Sequence, residues 1–106
     1  MPKYVLAYHG GSMPESEAEQ AKVMQAWGAW MQGLGDALVD PGNPVGKSST
    51  IASDGSVSAD GGANPLSGYS LLNADSQDAA IKLASGCPIL EGGGSVEVAE
   101  AIEIQM

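Results

Sequence analysis

One histidine, one cysteine and thirteen carboxylates are the groups through which this 106-residue chain could do chemistry. His9 ends an apolar run just before Gly10-Gly11. Imidazole is the one side chain that ordinarily titrates near neutrality, so at a strand end it is placed to act as a general base. The competing reading is a polar strand-end residue satisfied by solvent or a neighbour. Glu100 has the same alternation parity as Val96, Val98, Ile102 and Ile104. It either faces a cavity as an acid or is turned out to water by a β-bulge. His9 as base and Glu100 as acid or orienter are the expected catalytic pair, titrating together.

Tyr8, Trp27 and Asp40 are the expected lining of a small-molecule pocket beside that pair. Trp27, Trp30, Met24 and Met31 have the spacing of a helix packed on a sheet, which favours core, with one tryptophan at a pocket edge. Asp36 and Asp40, at i and i+4 on a short strand, could join Glu100 in holding a hard cation. The favoured reading is that Asp40 starts an Asx turn at Pro41 while Asp36 caps the preceding glycine turn, so no metal is expected. Cys87 falls on a helical apolar stripe and reads as a packed thiol, not a nucleophile. Gly61-Gly62 and Gly92-Gly93-Gly94 lack the spacing and lysine of phosphate loops and read as turns, so no cofactor is expected.

Composition narrows the field further. Lysines 3, 22, 47 and 82 are the only basic residues, set singly in a chain of formal charge −9. With no arginine fork and no basic stripe, nucleic acid and anionic membrane are poor partners. One cysteine and one histidine exclude an intramolecular disulfide and a multi-histidine metal centre within one chain. Tyr4 to Tyr8 is too short to span a bilayer and no charged leader precedes it, so a cytoplasmic location is the expectation.

The elements that must position these residues are readable from periodicity. Lys3 to His9 is apolar on both alternating faces, as a central, doubly covered strand requires. Two capping boxes, Ser12-Met13-Pro14-Glu15 and Ser16-Glu17-Ala18-Glu19, precede a long helix expected from Pro14 to Leu34. Its stripe is Val23, Met24, Trp27, Trp30, Met31 and Leu34. Gly33 and Gly35 end it, and Asp36 to Asp40 is a short strand halted by Pro41-Gly42-Asn43-Pro44. Asp54-Gly55 predicts a type I′ hairpin between Val45–Ser53 and Ser56–Ala59. Residues 60–67 form the loosest segment. Gly68 to Ala74 returns as a strand, and Asp75 or Ser76 caps a second helix striped by Ala80, Leu83, Ala84 and Cys87. Ser95 to Ile104 alternates as a last strand.

The order β-α-β, hairpin, β-α-β predicts one α+β domain over residues 1–106. It is a ferredoxin-like split βαβ protomer, with two helices on one face of an antiparallel sheet and an inserted small hairpin. Nothing in the chain covers the other face, and its apolar residues would form a large exposed patch. A homodimer pairing sheet to sheet, as a dimeric α/β barrel, would cover it.

An ordered set of short motifs now comes together. Lys3-Tyr4 opens the first strand, Gly35-Asp36-Ala37-Leu38-Val39-Asp40-Pro41-Gly42 follows the first helix, and Gly68-Tyr69 precedes the third long strand. Asp75-Ser76 and Cys87-Pro88 bracket the second helix, and Gly93-Gly94-Ser95-Val96-Glu97-Val98 enters the last strand. Over essentially its whole length the chain resembles the YCII-related (DGPF-type) family. The resemblance implies a ferredoxin-like protomer that dimerises into an α/β barrel, and little about chemistry. One branch of that family uses a first-helix histidine and an aspartate before the proline after the second helix as an acid/base dyad. Here the first helix has no histidine and Cys87 precedes Pro88. The arginine that some relatives carry after the Val-Glu-Val segment is also replaced, by Ala99 and Glu100 in that region. Two functional readings follow: a homodimer with a small-molecule pocket in a binding or accessory role, or a small-molecule enzyme of proton-transfer, lyase or hydrolase type with His9 as base.

Overall fold

Lys3–His9 forms the first strand (β1) because β-branched and aromatic side chains at alternating positions bury one set completely: Tyr4, Leu6 and Tyr8 are at most 4% exposed. The structure is a computed structural model that describes residues 1–11 and 14–104. The chain continues through helix α1 (Glu17–Leu34), a 3₁₀ turn (Gly35–Ala37), β2 (Leu38–Asp40), a ribbon of β3 (Thr50–Ile51) and β4 (Val57–Ser58), and β5 (Leu66–Asn73). Helix α2 (Gln77–Ala84), a second 3₁₀ turn (Pro88–Leu90) and β6 (Ser95–Glu100) complete it. Four strands make an antiparallel sheet in the order β2-β5-β1-β6, the split βαβ arrangement expected from the element order. The ribbon stands apart as a separate two-stranded sheet.

Register assigns the two faces. Tyr4, Leu6 and Tyr8 lie opposite Leu72, Ser70 and Gly68 of β5 and opposite Glu100, Val98 and Val96 of β6, all on the helix face. The core gathers there: Leu6, Tyr8, Leu34, Leu72, Ala84 and Cys87 are buried, with Trp27, Trp30, Leu83 and Ile89 packed against them. Trp27 stands edge-on to both Tyr8, at 5.2 Å between ring centroids, and Trp30, at 5.7 Å. The Trp30 indole N–H donates to the Leu83 carbonyl at 3.1 Å and ties α1 to α2. The other face holds Val5, Ala7, Tyr69 and Leu71, half-buried, with Ala99 exposed, and both helices pack on the opposite side of the sheet.

Local departures from the expected elements each have a physical cause. Helix α1 begins at Glu17, not Pro14, because Ser16 adopts extended geometry and its Oγ accepts from Glu19 N–H at 3.1 Å. Ser12 and Met13 of the other capping box lie outside the described residues. Met24, expected on the stripe, is 62% exposed on the outer face of α1. Asp36 sits in the 3₁₀ turn, so it does not share a strand face with Asp40. Ser76 caps α2 by accepting from Ala79 N–H.

The ribbon is shorter than expected and turns differently. Gly55 N–H donates to Ala52 C=O and Ala52 N–H to Ser56 C=O; Gly55 is left-handed at φ 91° and Asp54 is not. That is the three-residue loop of a type I turn closed by a left-handed glycine, not the two-residue type I′. The last strand stops at Glu100, leaving Ile102 and Ile104 more than 70% exposed. At Gly42, φ is 68° and a Cβ would overlap the Tyr69 carbonyl oxygen, so only glycine lets the chain leave β2 there.

Candidate functional site

The positions of His9 and Glu100 follow from the ladder between β1 and β6. Tyr4 pairs with Glu100 and His9 with Ser95, without a register shift between them. The two proposed catalytic residues are therefore at opposite ends of β1 and on opposite faces of the sheet, about 17 Å apart along the strand. They do not form a pair. Glu100 keeps its in-register place on the helix face, so no bulge turns it outward. It is nonetheless exposed, as the last residue of an edge strand. Its nearest consequence is at Tyr4, whose phenol is raised above its ordinary value first by burial and then by the Glu100 carboxylate.

His9 has a different partner. Its Nε2 lies 3.1 Å from Glu97 Oε1, and its Nδ1 lies 3.0 Å from the Asn64 carbonyl and 3.3 Å from that of Pro65. Two carbonyl acceptors fix a proton on Nδ1. The contact with Glu97 is an ion pair only while the imidazole is protonated. The His9 side chain is 13% exposed under the segment 64–65, whereas Glu97 is 68% exposed and free to swing away. A signal for this pairing was present in the sequence. Glu97 has the parity opposite to Val96 and Val98, which places it on the same face as His9 once β6 is set beside β1.

The expected pocket lining is dispersed. Tyr8 and Trp27 touch each other inside the core, with no cavity between them. Tyr8 O–H donates to Ser70 Oγ at 2.7 Å, and Ser70 O–H donates to the Pro41 carbonyl at 2.7 Å. The chain of bonds staples β1, β5 and the end of β2 together. Burial pushes the Tyr8 phenol up to about 12, against the opposing pull of the Ser70 hydrogen bond. Asp40 Oδ1 accepts from Gly42 N–H at 2.8 Å, an Asx turn and not a ligand position. Cys87 is 2% exposed and its thiol is pushed up to about 11 by burial, partly offset by a hydrogen bond from the Ile89 backbone. It is held as a thiol, not a thiolate.

Among the described residues no three histidine, cysteine, aspartate or glutamate side chains converge as metal ligands. No helix among them is long and apolar enough to cross a membrane. An open groove of about 500 Å³ lies over Ala37, Ala74 and Leu83, rimmed by Asp36, Asn73, Asp75 and Lys82. It includes none of the five residues expected in the site. Sequence reasoning missed this groove because Asp36, Asp75 and Lys82 come from three segments whose proximity only the fold creates. Compared with known proteins, the chain matches no family model, no curated relative and no solved structure.

Proposed function

We propose that the chain works as a homodimer that packs the open faces of two sheets together and binds a small organic molecule between them, beside His9 and Glu97. The observation that carries this reading is the open face itself. Val5, Ala7, Tyr69, Leu71 and Ala99 form an apolar stripe on the side of a four-stranded sheet opposite both helices, and the His9–Glu97 pair stands at one end of it. The charged strand residues on that side, Lys3, Asp40 and Glu97, stand at the ends and edges of the sheet, so the centre of the face carries no charge. Charge depletion at the centre is the compositional mark of an interface core. The ordered motifs of the YCII-related family, which implies this dimer, support the same reading.

Binding is favoured over catalysis because neither half of the acid/base dyad used by one branch of that family is present and His9 meets Glu97 rather than Glu100. One observation favours the catalytic alternative. With Nδ1 committed to carbonyl acceptors, Nε2 is the proton-accepting nitrogen whenever Glu97 moves aside, as a general base requires.

A thermal-shift screen of metabolite-sized organic molecules on the wild-type protein and on His9→Asn tests the site. The expected result is a ligand that raises the melting temperature of the wild type and loses its effect in the variant, with the dimer intact. A ligand whose effect is the same in both proteins overturns the placement of the site at His9.

A further inference from the structure

The molecule exposes more than a chain of its size should. Its accessible surface is 7238 Å², against about 5,500 Å² expected for a compact 10.7 kDa monomer. Its Cα radius of gyration is 15.2 Å against about 13 Å. The excess, about 1,700 Å², is of the order that each subunit of an obligate dimer buries. The open face cannot supply it alone, because Val5, Ala7, Tyr69 and Leu71 are already half-buried.

Apart from Met1 at 80% and Met24 on α1 at 62%, the most exposed large apolar side chains sit elsewhere, in two segments. One is the β3–β4 ribbon, where Ile51 and Val57 are a directly paired cross-strand couple, 75% and 67% exposed. A lone two-stranded ribbon is marginal in water, and this one forms a sheet of its own, rooted in the body at its base. Val45 N–H donates to Ser67 C=O, and the Asn64 and Pro65 carbonyls accept at His9. The other segment is the tail after β6, where Ile102 and Ile104 are 76% and 74% exposed. Ala101 N–H donates to Lys3 C=O at 2.8 Å, so the tail leaves the sheet at the Lys3 end of β1, whereas the ribbon is rooted at the His9 end.

Those two ends are about 20 Å apart, the length of β1, and within one chain the two apolar couples do not cover each other. A twofold axis perpendicular to the strands changes this. It stacks the His9 end of one protomer over the Lys3 end of its partner, which brings each ribbon to the same end of the dimer as the other copy's tail, twice over.

We propose that the ribbon is an arm that embraces a second copy of this chain, with Ile51 and Val57 packing on Ile102 and Ile104 of that copy. The inference rests on the sheet-to-sheet dimer proposed above and adds to it the elements that lock it. The arm explains why an isolated, apolar ribbon is retained in an otherwise polar, serine-rich insertion. It also gives the alternating tail, which goes unpaired beyond the sheet, a partner.

Sedimentation of the wild type, of Ile51→Asp, and of Met24→Asp as an exposed control on the outer face of α1 tests the arm. Disulfide trapping in a chain carrying both Ile51→Cys and Ile102→Cys adds a direct measure of contact. The expected results are a wild-type dimer whose Kd rises about a hundredfold or more in Ile51→Asp and is unchanged in Met24→Asp, with circular dichroism unchanged throughout. Oxidation of the double-cysteine chain is expected to give a covalent dimer that neither single variant gives. A wild-type dimer that is indifferent to Ile51→Asp and yields no trapped dimer overturns the arm and leaves the sheet-to-sheet reading standing. A monomeric wild type, or a disulfide closed within one chain, overturns the arm as well, and a monomer overturns that reading with it.

Discussion

The helix-covered end of the sheet and the 45–65 excursion are built by different physics. Around Tyr8 the buried polar groups are linked: the phenol, the Ser70 hydroxyl and the Pro41 carbonyl form one chain of bonds amid Leu6, Leu72, Trp27 and Cys87. The excursion has almost no apolar anchor and is shaped by carboxylates turned back on their own backbone. Asp54 accepts from both the N–H and the O–H of Ser56, which holds its carboxyl below the ordinary range, and Asp60 accepts from Gly62 N–H. Packing specifies the first region and turn chemistry the second, so the two should respond to substitution on different scales.

The largest contrast is between Leu6→Ala and Ile51→Ala. Leu6 has no exposed surface, and its truncation should cost about 2–5 kcal/mol of folding stability in denaturant titration. Ile51→Ala, measured at protein concentrations below dimer formation, should stay within about 0.5 kcal/mol. Equal effects would break the distinction between the two regions.

Alkaline pH should separate them next. Tyr8 and Cys87 are raised to about 12 and about 11 from ordinary values of 10.0 and 9.0. The folded state therefore keeps protons that the unfolded state releases. Their contribution to stability is complete below pH 9 and is lost as pH rises through 11 and 12, by about 4 kcal/mol at pH 11. Melting curves from pH 8 to 11 should show this loss, and Cys87→Ala should remove the part that begins near pH 9. In the folded protein the Cys87 thiol should resist alkylation at neutral pH.

Ser70→Ala comes third. It leaves the Tyr8 hydroxyl and the Pro41 carbonyl without their buried partner and should cost about 1–3 kcal/mol, readable as a lower melting temperature. The smallest effect belongs to Glu97→Gln. Glu97 is mostly exposed, so losing its ion pair with His9 should change stability by less than about 1 kcal/mol, and less still at high salt.

Most of the fold was legible because its signals are local. Alternation in Lys3–His9, the Ser16 and Ser76 caps and the order of elements are all carried by neighbouring residues, and together they specify the β2-β5-β1-β6 sheet. The site was less legible because it depends on register. Parity grouped Glu100 with Val96 and Val98 but left its surroundings open, and parity does not say which end of β1 a residue of β6 reaches. Once His9 pairs with Ser95, Glu97 is its diagonal neighbour and Glu100 is a strand-length away. The Asp54-Gly55 turn failed for a similar reason. Type I′ needs a positive φ at Asp54, and the hydrogen bonds of Asp54 to Ser56 hold a turn that spares it that conformation.

Sedimentation equilibrium of the wild-type protein at micromolar concentration tests most directly whether a second copy covers the open sheet face. The expected result is a particle of twice the 10.7 kDa chain mass. A single species at the chain mass across that range would contradict it.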